Sequence, residues 1–232
     1  MQNLIYQDRY KVTQHLIDNL TIVEIQEIGC DYLDYVVICY DESCMEQKIK
    51  SLVDEYKEKN TVCVIGCSSS QKENILNEGN KNSFDLFCSH FCSQKEIDTL
   101  IELLISVRTG FTHGDPQDIK NFRKSEIENL FSIKFATGLN LNEARKNILE
   151  LIKENKQKDF SFQNIYVSVL SNQSDLCELE NLLSSINQEF EKDISVMYTT
   201  IENDSFDFTK IILLGFVKYF YKEEFNERKN LY

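Results

Sequence analysis

Short apolar runs of strand length alternate with stretches whose apolar residues recur every three or four positions, a pattern that predicts α/β architecture. Residues 35–40, YVVICY, form one compact apolar run. Beyond a polar turn, Met45, Ile49, Leu52, Val53 and Tyr56 fall on one face of a predicted helix. A second buried-type strand, TVCVIG, follows at 61–66. Such a strand–helix–strand unit predicts a parallel crossover. The polar stretch SSSQKENILNEGNKNS then leads to a short strand at 84–88, FDLFC.

The stretch from Gln94 to Thr109 differs in kind. Ile97, Leu100, Ile101 and Leu104 make the usual stripe, while Leu103, Ile105 and Val107 add apolar surface around it. A helix apolar over most of its circumference is buried on most sides, so this one is expected between two layers. Later in the chain the order becomes strand, helix, strand, helix, strand, strand. Residues 130–136 (LFSIKFA) form the first strand, ended by a Thr137–Gly138 turn. A helix carrying Ala144, Ile148, Leu151 and Ile152 precedes the strand IYVSVL at 165–170. Leu176, Leu179, Leu183, Ile186 and Phe190 mark the next helix, with Ser174 and Asp175 suited to its start. Strands at 194–200 and 208–217 close the order across the acidic turn IENDSFD.

The expected fold class is therefore α/β, in four parts. A short parallel-sheet N-terminal subdomain spans 1–93, and a buried central helix with an acidic loop spans 94–121. A mixed-sheet α+β subdomain spans 122–220, and a charged, aromatic tail spans 221–232.

Composition narrows the functional classes. With 42% hydrophobic residues and 11% aromatics, 232 residues suffice for one large domain or two small ones with a genuine core. A net charge of −13 argues against nucleic acid and anionic membranes as partners, because phosphates would be repelled over most of the surface. No run approaches the roughly 20 apolar residues of a spanning helix. The N-terminal MQNLIYQDRY lacks the layout of a secretory signal, so a cytoplasmic location is expected. The eight cysteines then sit in a reducing compartment. Cys39, Cys63 and Cys88 lie in strand-like runs and read as small hydrophobes. Cys63 with Cys67, and Cys88 with His90 and Cys92, lack the tight spacing of a structural zinc site. No metal is expected.

The loop at 110–121, GFTHGDPQDIKN, carries the candidate chemistry. Asp115 and Asp118 bracket Pro116, the only proline. Paired carboxylates can orient a water or attract a metal that neutralises phosphate charge. The same residues also make a common helix start, with aspartate as cap and proline in the first turn. Asp98, near the start of the apolar helix, reads as a solvated acid at a helix N-terminus. Ser68 to Ser70 and the three histidines form no recognisable catalytic arrangement.

From Asp115 onward the chain resembles the C-terminal half of FtsZ, the bacterial relative of tubulin. In that family a long core helix ends in a loop reading roughly N-x-D-F-A-D-V, and HGDPQDIK stands in its place. Asp115 and Asp118 match its two acids, Ile119 matches the valine, and His113 replaces the asparagine. FATGLNLNEARKNILELI resembles the family's glycine turn and the helix that follows it, and IILLGF resembles its final strand. The likeness runs over 33–217 and is strongest after residue 110.

The resemblance implies a fold of FtsZ/tubulin type and a loop that reaches a neighbouring subunit. There it helps position the water that attacks the neighbour's nucleotide. It makes His113, Asp115, Pro116 and Asp118 candidate partner-binding residues. Asp115 and Asp118 become candidates for catalysis in trans, and Asp98 a weaker match to an acid that contacts the base. The departures bear on the nucleotide. The family cradles phosphate on glycine-rich turns, one of them a GGGTGTG loop after a strand that VVIC resembles. Backbone N–H groups must approach phosphate closely there. Here the continuation is YDESCMEQ, without glycine and with Asp41, Glu42 and Glu46. Residues 1–93 accordingly read as a reduced remnant of a nucleotide-binding subdomain, and GTP is not expected as a cofactor. The resulting expectation is a non-hydrolysing protein that meets an FtsZ/tubulin-like subunit, or another copy of itself, and modulates or caps filaments in cell division. The alternatives are an activator of GTP hydrolysis in trans and a structural protein of FtsZ fold with an unrelated role.

Overall fold

The computed structural model describes residues 9–17, 19–41, 44–68, 83–89, 93–110, 114–121, 131–156, 161–173, 175–190 and 194–218. The tail at 221–232 and most of the polar stretch at 68–83 lie outside these residues.

Two sheets enclose one helix. The first sheet has the order β1-β2-β3-β4-β5, built from β1 (Tyr10–Ile17), β2 (Leu20–Glu27), β3 (Tyr35–Tyr40), β4 (Cys63–Ser68) and β5 (Leu86–Ser89). The expected parallel crossover is present: α1 (Glu46–Glu58) links β3 to its parallel neighbour β4, and β5 adds in parallel. The hairpin β1–β2 was not anticipated. It extends the sheet antiparallel beside β3, and its strands join across two residues, with Asn19 at φ 68°. Asparagine tolerates that left-handed conformation, which tight hairpin turns require.

The first sheet is covered on both faces. Leu20, Ile22, Val36, Ile38 and Val64 meet Ile49, Val53 and Tyr56 of α1 on one side. Val23, Ile25, Tyr35, Val37 and Ile65 face α2 (Gln94–Thr109) on the other. The second sheet has the order β6-β9-β7-β8, from β6 (Phe131–Gly138), β7 (Ser161–Ser171), β8 (Ser195–Glu202) and β9 (Thr209–Lys218). Only β7 and β8 pair in parallel; β9 runs antiparallel to both of its neighbours. Phe131, Ile133, Tyr166, Leu170, Ile212 and Leu214 meet α2 from this side. The opposite face carries α4 (Leu141–Lys156) and α5 (Leu176–Gln188), through Ala144, Ile148, Leu179, Leu182 and Ile186. Five layers result, and α2 is the middle one, as its all-round apolar surface predicts.

Several boundaries moved. The second strand occupies 63–68 rather than 61–66, and the third 86–89 rather than 84–88. Phe84 precedes β5 and lays its ring on Gly66, where an added Cβ would lie 2.6 Å from the ring. Thr137 and Gly138 are no turn: both remain paired in β6, opposite Lys210 and Thr209. Gly138 is required there because a Cβ would lie 2.4 Å from the Ala144 backbone nitrogen. Met45 and Leu176, assigned to buried helix faces, are 77% and 73% exposed. Met45 caps α1 from outside and Leu176 opens α5, so neither has completed a turn toward the core. Asp175 does cap α5, accepting from the Cys177 N–H at 2.7 Å; Ser174 lies outside the described residues.

Candidate functional site

Residues 114–121 of the acidic loop are held in place by their own carboxylates. Behind α2, the Gly114 N–H donates to the Val107 carbonyl at 2.7 Å, which folds the loop back on the helix end. Asp115 then opens the short helix α3 (Pro116–Asn121). One Asp115 oxygen accepts from the Gln117 N–H at 2.8 Å, and Asp118 reaches back to accept from the Asp115 N–H at 2.6 Å. This reciprocal cap satisfies two donors that a helix start leaves unpaired. Asp115 is exposed, Asp118 is half-buried and Pro116 is buried. His113, the fourth predicted partner-binding residue, lies outside the described residues.

Two contacts clamp α3 to the first sheet. Ile119 is fully buried in the central core. Lys120 Nζ lies 3.1 Å from the carboxylate of buried Asp85, which also accepts from the Val64 N–H at 2.9 Å. Sequence reading missed this clamp, because only the fold brings a lysine on α3 to an acid before β5.

A charged cluster lies next to the loop. Arg108, in the last turn of α2, donates to Glu27 at 2.8 Å, and Arg9 donates to the same carboxylate at 3.1 Å. Burial pushes the Glu27 carboxyl up, but the hydrogen bonds from Arg9 and Arg108 outweigh it and hold the group below the usual glutamate range. Burial also pushes the Tyr10 hydroxyl up to about 12. Asp34, just before β3, is fully buried, and neither carboxylate oxygen makes a hydrogen bond of good geometry. Its pKa is raised, first by burial, with Glu27 and Asp115 adding to the rise and Arg108 opposing it.

A raised folded-state pKa means that folding favours protonated Asp34. The stability it contributes is complete below the unfolded value of about 3.9 and is lost as pH climbs through the folded value. Asp34→Asn is therefore expected to raise the urea midpoint at pH 7, with the advantage shrinking toward zero in acid. A midpoint that drops at pH 7 would show that ionised Asp34 stabilises the fold.

The turn from β3 to α1 is built differently. Tyr40 stacks on Phe84 with ring centroids 6.1 Å apart, and the Cys44 thiol points to an Asp41 oxygen at 3.8 Å. Met45 enters α1 in extended backbone without a side-chain cap. Gly66, in the next strand, accommodates the Phe84 ring rather than a ligand. Asp98 is exposed and accepts from Gln94 at 2.9 Å, a surface contact within α2. The two regions lie at opposite ends of the sheet. Asp34, Lys120 and residues 114–121 gather where β3 and β4 begin, and Asp41, Cys44 and Met45 lie where β3 ends and α1 begins. Between them runs α2, whose 16 residues span about 24 Å.

The arrangement of two sheets about a central helix is shared with solved structures. FtsZ from M. jannaschii, solved as a point mutant, superposes with a TM-score of 0.51 at 10% identity, over 79% of this chain and 65% of that one. CetZ from Methanosaeta thermophila strain DSM 6194 superposes with a TM-score of 0.55 at 10% identity, over 86% and 70% of the two chains. The fold is FtsZ-like. This chain thus spans about two thirds of the length of the FtsZ chain. No protein-family model and no curated protein matches the sequence. Among the described residues, no helix is long and apolar enough to cross a membrane.

Proposed function

We propose that this chain is a non-hydrolysing FtsZ-like protein. It docks by its acidic-loop face onto the nucleotide-bearing face of an FtsZ/tubulin-like subunit, and so modulates or caps filament assembly in cell division. One observation carries the reading: residues 114–121 are pinned by the Asp115–Asp118 hydrogen bond and the Lys120–Asp85 contact, while the opposite end of the same sheet has Asp41, Cys44 and Met45 where a phosphate cradle needs bare amides. A subunit with one such face can join a filament end but gives the next subunit no nucleotide to meet. Activation of hydrolysis in trans is the weaker reading, because Asp115 and Asp118 each commit an oxygen to the α3 cap.

The test combines sedimentation of an FtsZ polymer with a paired variant. At stoichiometric concentration the wild-type chain is expected to reduce pelleted polymer or shorten it. Asp115→Asn with Asp118→Asn keeps capping oxygens, since asparagine caps as well as aspartate, but removes both charges. That variant is expected to hold its stability to within about 0.5 kcal/mol and to lose the effect on filaments. Calorimetry of the chain alone with GTP and Mg²⁺ is expected to give no binding heat. Unchanged polymer mass, length and GTP turnover with the wild-type chain would refute the docking.

A further inference from the structure

Three cysteines distant in sequence share one level of the first sheet. The register sets Cys39 opposite Cys67 across β3 and β4, and Cys67 opposite Cys88 across β4 and β5, each one residue before its strand ends. In-register residues on parallel neighbours present their side chains to one face, here the face beneath α2. Cys67 and Cys88 are buried in that core, and Cys39 packs against it from a half-exposed position. Cys39 and Cys67 are direct cross-strand partners in the parallel pair β3–β4. Strand spacing puts their Cα atoms at about 4.8 Å, inside the window of roughly 4.4–6.8 Å that a disulfide spans. Cys63 belongs to the same strand as Cys67 but sits opposite Tyr35, away from the row.

We propose that Cys39 and Cys67 are an oxidation site, a dithiol that closes to a reversible disulfide when the protein meets a peroxide. The sulfur of Cys39, the less buried residue of the pair, attacks a peroxide oxygen. The O–O bond breaks, leaving a sulfenic acid on Cys39 and a hydroxide that takes the thiol proton and departs as water. The Cys67 sulfur then attacks the Cys39 sulfur. The S–S bond forms, the S–O bond breaks, and the second hydroxide leaves as water with the Cys67 proton. Two thiols lose two electrons in all, and the peroxide is reduced to two waters.

The surroundings favour this product over a bound metal. Among the described residues no three Cys, His, Asp or Glu side chains converge on one ion. A dithiolate complex would also carry negative charge where burial, then Cys39, Cys88 and Glu96, push the Cys67 thiol well above its usual range. A disulfide is neutral and removes both titrating groups. Because a spacing of about 4.8 Å lies toward the short end of that window, below its usual value of roughly 5.5–6 Å, the bond is expected to be strained and readily reduced, the behaviour of labile rather than structural disulfides.

The unsubstituted full chain suffices for the test. It is treated with hydrogen peroxide at low protein concentration, alkylated, digested and mapped by mass spectrometry at all eight cysteines. The expected result is a linked peptide pair holding Cys39 and Cys67, with near-complete loss of alkylation at both, full recovery after dithiothreitol, and much slower closure in urea-unfolded chain. Cys88→Ser is expected to leave the pair intact. A dominant link between any other cysteines overturns the proposal. So does a Cys39 that stays alkylatable, or one that passes to an irreversible acid without a linked partner.

Discussion

Leu103→Ala is expected to lower the unfolding free energy by about 3–5 kcal/mol, the upper part of the range for truncating a buried leucine. Leu103 is fully buried in the middle layer, and the core it joins draws side chains from strands of both sheets. The cost of such a truncation depends on how far the walls can close over the hole. Here those walls are hydrogen-bonded strands on either side, which cannot shift singly, so the cavity stays open. A loss of this size is a large fraction of the roughly 5–15 kcal/mol that holds a typical domain together. Urea unfolding followed by circular dichroism measures it, as a lowered midpoint with an unchanged slope. Leu52→Ala, on the half-exposed edge of α1, is expected to shift the midpoint by less than half as much. Equal shifts for the two variants would deny α2 its place as the central layer.

The parts of this fold that were legible in sequence are those whose pattern reflects a single environment. The run Tyr35–Tyr40 is apolar throughout because both faces of β3 are covered, and α2 is apolar all round because sheets flank it. The hairpin escaped notice for a related reason. In β2, Leu20 and Ile22 face α1 while Val23 and Ile25 face α2, so no clean alternation marks the strand. In β1 the half nearer the turn is exposed on both faces, Leu16 and Ile17 included, so its apolar positions mark no buried face. The acidic loop was legible as a pattern but not as a geometry. Asp-x-x-Asp beside proline fits both a helix cap and a catalytic pair, and only the contacts of Asp115 with Asp118 and Gln117 reveal the cap. Lys120 on Asp85, buried Asp34 beside Arg108, and the row of thiols join residues from separate segments. No local spacing encodes them; strand register and packing do.

The proposed docking depends on where residues 114–121 are held, and Gly110 is where that placement is most open to test. Gly110 ends α2, donating its N–H to the Ser106 carbonyl at 2.8 Å, and its backbone is extended at φ −72° and ψ 171°. Any residue can adopt those angles, so the constraint is space alone. A Cβ there would lie 1.7 Å from Thr199 Oγ1 and 2.7 Å from the Ser106 carbonyl oxygen. Thr199 is itself fully buried on β8 and donates to that same carbonyl at 3.4 Å, so it has nowhere to turn. Gly110→Ala must therefore push the end of α2 away from the second sheet and carry the acidic loop with it. We expect a loss of about 3 kcal/mol or more, at or beyond the usual range for overpacking, together with loss of any effect on FtsZ filaments. Gly114→Ala, four residues on, meets the Val107 side chain at 2.8 Å and its carbonyl at 3.2 Å, so a rotamer change relieves most of the clash. It should cost about 1 kcal/mol, the low end of the same range. Adding Thr199→Gly to Gly110→Ala is expected to restore part of the stability and not all of it, because the Ser106 carbonyl remains in place. Urea midpoints for the four proteins order these effects. Wild-type stability in Gly110→Ala alone would mean that the end of α2 is not held against β8, and the loop would then lack the fixed geometry that docking requires.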